Sequence, residues 1–219
     1  MTSFKDRVIY QIVRLFCLFF LKLHNRISIQ GLENVPSLPP FIMAVNHCSN
    51  LDPVVVGAAF PHRLRYLAKV ELFQGSKIFA WLLRTLGAIP VSRESSQSAG
   101  GALKTFLQLI EEGQAVLLFP EGARSVDGRL KPLEGGVALL AMKSGVPVVP
   151  VYISGTHRAM PVGSSRIGWN KVSITFGEPI EPKALADGVA VKEARSIFLK
   201  ELESRLSSME QFYLAKSDS

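Results

Sequence analysis

Two cysteines, Cys17 and Cys48, are all that the 219 residues contain. One lies in an apolar run and the other beside a histidine. Neither spacing suits a zinc site, and two residues do not make a disulfide framework. A reducing, cytosol-facing location is the simpler inference. Long apolar runs are scarce as well. Near the amino terminus the longest charge-free stretch, Leu15 to Leu21, falls far short of the roughly 20 residues that a spanning helix needs. No small-x-small cleavage site follows that stretch and Asn25-Arg26 is a poor junction, so a secretory signal peptide is not expected. There is no internal repeat and no low-complexity tract. No Gly-x-Ser-x-Gly elbow occurs, which argues against a serine hydrolase.

What is present describes a globular chain. Hydrophobic residues make up 47% and charged residues 20%, and the length suits one α/β domain with a full core. Lys and Arg number 25 against 18 Asp and Glu, a net charge of +7. Such a surplus favours an anionic partner: a phosphate substrate, an anionic lipid surface or nucleic acid. No recognised nucleic-acid motif accompanies it, and no nucleic-acid partner is expected.

From Arg7 to Leu23 the chain is dense in Leu, Ile, Val and Phe. On a helix, Arg7, Gln11 and Arg14 share one stripe that Lys22 continues. Most other positions are apolar, with Tyr10, Phe16, Phe19 and Phe20 among the large side chains. That pattern suits a helix lying in one leaflet with its cations at the headgroups. A helix docked on the protein's own core is the alternative. The expected division is a membrane-interfacial helix over 1–24 and an α/β domain over 25–219, the whole monotopic on the cytoplasmic face of the cell membrane.

After Asn25, Arg-Ile-Ser-Ile-Gln alternates as a strand and Gly31 ends it. A Pro-rich linker, Val35 to Pro40, leads to an apolar strand beginning at Phe41. A helix from Asp52 to Phe60, a short strand over Arg65 to Ala68 and a helix over Lys77 to Leu86 come next. Ala88 to Ser92 reads as a strand, and Ala99 to Glu112 as a helix closed by Gly113. Ala115 to Phe119 has the character of a buried parallel strand. A helix over Glu134 to Lys143 and strands over Val146 to Ile153 and Lys171 to Phe176 complete the body. From Val191, apolar residues at 191, 194, 198, 202, 206, 209 and 213 mark an amphipathic helix. Strands alternating with helices predict a single α/β domain, its mainly parallel central sheet flanked by helices.

Open α/β sheets place their chemistry at the carboxyl ends of strands, and three stretches qualify. The strand from Phe41 runs into Asn46-His47, with Asp52 five residues beyond the histidine. Five residues at 100° leave the two side chains about 140° apart on a helix, so the pair needs a turn between them. Asp52-Pro53 supplies a helix start, since Asp is favoured at N-cap and Pro at N1. One carboxylate oxygen can serve that cap while the other accepts Nδ1–H of His47, leaving Nε2 as a base. His24, His62 and His157 read as structural. The second stretch is Phe119-Pro120-Glu121-Gly122-Ala123-Arg124-Ser125. Here Gly122 allows close backbone approach and Arg124 can hold a phosphate bidentately; a plain polar turn is the alternative. The third is Gly87 to Arg93, whose Arg93 ends a strand. Lys69 also follows a strand, and three cations just past strand ends make a shared anion site more credible than one alone.

Together these stretches resemble the glycerolipid acyltransferase family, specifically the 1-acyl-sn-glycerol-3-phosphate (lysophosphatidic acid) acyltransferases. The Asn-His-x4-Asp motif stands at Asn46 to Asp52. Gly-x-Ile-x-Val-x-Arg stands at Gly87 to Arg93. Phe-Pro-Glu-Gly-Thr-Arg-Ser stands at Phe119 to Ser125, with Ala123 in place of threonine. A Val-Pro-x-x-Pro-Val run stands at Val146 to Val151. The Leu133 to Gly136 segment departs from the Phe-Lys-x-Gly that relatives often carry. The resemblance implies acyl transfer from an acyl carrier protein or coenzyme A thioester to position 2 of lysophosphatidic acid. His47 would act as general base oriented by Asp52, and no metal or cofactor would be required. Arg93, Arg124 and Lys69 would hold the substrate phosphate, with Glu121 and Gly122 shaping the glycerol pocket. Val146, Pro147, Val148, Val149 and Pro150 would help wall the acyl chain, and a buried core strand is also expected of that run. Glycerol 3-phosphate or another lysophospholipid remains open as acceptor. A non-enzymatic membrane-binding protein is the reading from a different class.

Overall fold

A computed structural model describes residues 4–91 and 99–217. Its layering is set by strand β2 (Ile42–Val45), all four residues of which are buried. Met43 and Val45 join one core while Ile42 and Ala44 join the other, because successive strand side chains point to opposite faces. A strand buried on both sides reads as an unbroken apolar run, as this one does.

Around β2 the central sheet takes the order β1 (Ser28–Gln30), β7 (Ser173–Phe176), β6 (Val148–Ser154), β2, β5 (Val116–Leu118). The pairs β1–β7, β2–β6 and β2–β5 are parallel; β6–β7 is antiparallel. A separate parallel pair, β3 (Tyr66–Lys69) and β4 (Ala88–Val91), stands beyond β5. Arg65, just before β3, bridges to Val116 and ties that pair to the sheet edge.

One face carries α1 (Phe4–Asn25), α2 (Asp52–Ala59) and α3 (Lys77–Thr85), with Leu21, Val55 and Leu83 in its core. The other carries α4 (Ala99–Glu111), α5 (Gly136–Ser144) and the long α8 (Val191–Ser217). Phe106, Leu140, Phe198 and Leu202 fill that second core. Two short helices, α6 (Thr156–Ala159) and α7 (Pro182–Ala186), were not expected. Helices of four and five residues are too short to carry a 3.6-residue period.

Helix α1 docks by one stripe: Tyr10, Val13, Cys17 and Leu21 are buried. The Tyr10 hydroxyl donates to the carbonyl of His62 at 2.9 Å. The Arg14 guanidinium donates to the Ala58 carbonyl at 3.3 Å and the Gln11 amide to Pro61 at 2.8 Å. At the far end Asn25 Nδ2 donates to the carbonyls of Gly168 and Asn170. The opposite stripe is apolar and open, with Phe16 70%, Phe19 66% and Leu23 69% exposed. By length and composition alone, α1 could cross a membrane.

Candidate active site

The site is assembled where β2 and β5 end. Asn46, the first residue past β2, is buried and clamps its neighbour strand: its Nδ2 donates to the Ile153 carbonyl at 3.0 Å, and its Oδ1 accepts the Ile153 N–H at 2.6 Å. This pairing fixes where the chain leaves the sheet, and His47 is the next residue. The turn from His47 to Leu51 then carries the chain into α2, whose first residue is Asp52.

Asp52 does not cap α2. No side-chain cap bond is made at this helix start, and the carboxylate turns backwards instead. Its Oδ2 accepts the N–H groups of Cys48 and Ser49, each at 2.8 Å, and His47 Nδ1 at 2.8 Å. A carboxylate can only accept, so Nδ1 carries a proton, and in the neutral imidazole the lone pair falls to Nε2. The imidazole stacks on the Phe119 ring at 3.8 Å between centroids, and 18% of its side chain is exposed.

Glu121 approaches from the loop after β5. Its two carboxylate oxygens accept the backbone N–H of His47 at 2.7 Å and of Lys131 at 3.0 Å. Burial pushes its pKa up, and the two N–H bonds oppose that shift. Glu121 therefore braces the His47 backbone from below and lines no part of the adjoining cavity. The Ser125 N–H donates to the His47 carbonyl at 2.8 Å, a second tie between the two loops.

His47 opens into a cavity of about 600 Å³. Lys69, Gly122 and Arg124 line it beside the histidine. Arg124 is held by the Asn50 side-chain oxygen at 2.9 Å, leaving other guanidinium nitrogens for an anion. Gly122 has a φ of +67°, which favours glycine at this bend. Elsewhere its wall is apolar, with Leu67, Phe79, Leu83 and Phe106. One cavity thus presents a base, two cations and an apolar recess.

Cys48 adjoins His47 in the chain but is held as a buried thiol. Its thiol is buried, 3.1 Å from Thr156 Oγ1, and its pKa is pushed up to about 12 by burial and by the charge of Asp52. It stays a thiol at neutral pH.

A family model described as acyltransferase matches residues 26–154, more than half of the chain. The chain belongs to the acyltransferase family. Two similar proteins, the chloroplast 1-acyl-sn-glycerol-3-phosphate acyltransferases of Brassica napus and Arabidopsis thaliana, are each 36% identical. The matches cover 70% and 78% of this chain but 44% and 48% of those proteins. The chain thus spans about half the length of the curated plant relatives it matches. The 1-acyl-sn-glycerol-3-phosphate acyltransferase of Bacillus subtilis is 29% identical over 86% of this chain and 94% of that protein. In fold, the chain is similar to the Thermotoga maritima lysophosphatidic acid acyltransferase PlsC. That likeness has a TM-score of 0.74 at 24% identity and covers 96% of this chain and 84% of that one.

Within this acyltransferase fold, the expected site residues other than Glu121, which ties the His47 and Lys131 backbones, separate into three groups. His47, Asp52, Lys69, Gly122 and Arg124 converge on one cavity or on the base beside it. Arg93 lies outside the described residues. Val146, Pro147, Val148, Val149 and Pro150 line no part of the cavity. Val148, Val149 and Pro150 form the start of β6, and Val148 and Val149 are fully buried in the two cores. The apolar wall of the cavity is supplied by β3, α3 and α4, through Leu67, Phe79, Leu83 and Phe106. Those elements belong to the β3–β4 side, where the sequence offered periodicity but no chemistry to mark a binding wall.

One polar contact at the base was not anticipated. Thr156, the first residue of α6, donates its hydroxyl to Asp52 Oδ1 at 2.6 Å. It follows the carboxyl end of β6, the kind of position that does mark chemistry. Nothing local in the sequence joins it to an aspartate 104 residues away.

Proposed function

We propose that the protein transfers a fatty acyl group from an acyl carrier protein or coenzyme A thioester to the sn-2 hydroxyl of 1-acyl-sn-glycerol 3-phosphate, giving phosphatidic acid. The observation that carries this is the His47–Asp52 pair at the edge of a cavity lined by the cations Lys69 and Arg124 and by apolar side chains. The names of the relatives support the acceptor. A thioester is already activated, so no acylated enzyme nucleophile is needed. Nε2 of His47 takes the proton of the glycerol hydroxyl as its oxygen attacks the acyl carbonyl. The carbon–sulfur bond then breaks, and the departing thiolate takes the proton back from the imidazolium. Asp52 balances the imidazolium while it exists.

Lys69 and Arg124 meet the substrate phosphate in this reading, with Arg93 as a further candidate, and the apolar recess takes the acyl chain. The outward face of α1 seats the protein in one leaflet on the cytoplasmic side, where acceptor and product reside. The decisive measurement is turnover by purified wild-type and His47→Ala protein, with both donor types against lysophosphatidic acid, glycerol 3-phosphate and other lysophospholipids. Wild-type preference for lysophosphatidic acid and a loss of at least about a hundredfold in His47→Ala are expected. Full activity of His47→Ala overturns the assignment.

A further inference from the structure

Asp52 Oδ2 is shared among three donors from the turn just before it, whereas among the described residues Oδ1 has one partner, the Thr156 hydroxyl. Both residues are fully buried, so no solvent can replace that partner. We propose that Thr156 is a positioning residue for acyl transfer: its hydroxyl holds Oδ1 and so fixes the plane in which Oδ2 meets His47 Nδ1. This rests on the reading of His47 as the base.

The surroundings of Thr156 are built for that contact. Gly155 precedes it at a φ of +88°, and a Cβ there would run into the Lys171 carbonyl oxygen. Only glycine delivers the chain from β6 into α6 along this path. Ser49 Oγ donates to the Met160 carbonyl at 2.7 Å, holding the histidine turn to the same α6 segment at a second point. On its other side Thr156 Oγ1 lies 3.1 Å from Cys48 Sγ. Since the thiol stays protonated, it can donate to Oγ1 and leave the Thr156 proton directed at Asp52. Donation thus runs from Cys48 through Thr156 to Asp52. Without the hydroxyl, one oxygen of a buried carboxylate has no donor, and only the bonds to Oδ2 are left to set the carboxylate plane against Nδ1.

Thr156 lines no part of the cavity beside His47. Its loss therefore touches the reaction step and spares substrate binding. In steady-state kinetics, Thr156→Val lowers kcat about ten- to a hundredfold with KM for both substrates within about threefold. Thr156→Ser restores the hydroxyl and returns kcat to within about threefold of wild type, and Thr156→Cys, a weaker donor, falls between. That order follows donor strength; a purely structural role would follow size and rank valine first. Wild-type kcat in folded Thr156→Val overturns the proposal, as does an order set by size. Should the valine variant not fold, the remaining pair decides, and a cysteine variant equal to or better than serine overturns it. An inactive His47→Ala beside a fully active Thr156→Val removes this inference alone. An active His47→Ala removes the acyl-transfer assignment on which it stands.

Discussion

Replacing Asp52 by asparagine exchanges one acceptor oxygen for a donating amide. The remaining oxygen can take the place of Oδ2 and keep the N–H groups of Cys48 and Ser49 and the Nδ1–H of His47. The amide then faces Thr156 Oγ1, which can accept. With the Thr156 hydroxyl turned to donate to Cys48 Sγ, every buried polar group keeps a partner, so Asp52→Asn folds with a melting temperature within a few degrees of wild type. The negative charge facing the imidazolium is gone, and kcat falls of order a hundred- to ten-thousandfold. Thermal melting and turnover on one preparation check both halves. Collapse of the melting temperature would make Asp52 chiefly structural. At this scale the sequence showed the pair because its geometry is local, five residues joined by one turn. It showed Glu121 as a carboxylate in the right loop but not its work as a backbone brace, because that contact spans 74 residues. Thr156 stayed hidden for the same reason.

Helix α1 has two apolar stripes, one docked and one exposed, and substitutions can address each alone. Removing residues 1–24 would not, since it also strips Tyr10, Val13, Cys17 and Leu21 from the core. Leu21→Ala leaves a hole in the docked stripe and costs about 2–5 kcal/mol of stability, read from denaturant unfolding. The triple variant Phe16→Ser, Phe19→Ser, Leu23→Ser alters only exposed side chains, so its melting temperature stays within a few degrees. Its partition onto vesicles falls at least about tenfold, since three large apolar side chains no longer enter the leaflet. Unchanged sedimentation with liposomes would remove the outward stripe from membrane attachment. The sequence revealed the helix and its cations but not which arc docks, because apolar residues run around most of the circumference and periodicity alone assigns no partner. The same limit holds for β3, α3 and α4, whose apolar faces read as core until the cavity between them is seen.

The charge of the whole molecule, +7, is not gathered in one patch. Arg7 and Lys22 are carried by α1, where the Arg14 guanidinium is instead turned to the Ala58 carbonyl in the docked contact. Arg129, Arg158 and Lys171 line a separate cavity of about 560 Å³. The alternating pattern of strands and helices made the α/β class legible. It did not show that β7 runs antiparallel to β6, or that β3 and β4 stand apart from the main sheet. Strand direction and sheet membership depend on long-range pairing, so how distant cations are distributed was equally out of reach. Attachment to a membrane should then have two separable parts, an electrostatic one from the dispersed cations and an apolar one from α1. Raising salt from 0.1 to 1 M shortens the screening length from about 10 to about 3 Å. Binding to anionic vesicles should therefore drop to the level seen on zwitterionic vesicles and stop there. That residual level should be insensitive to salt and absent from the α1 triple variant. Salt that abolishes wild-type binding altogether would mean that charge alone holds the protein to the bilayer, and that the outward face of α1 serves some other contact.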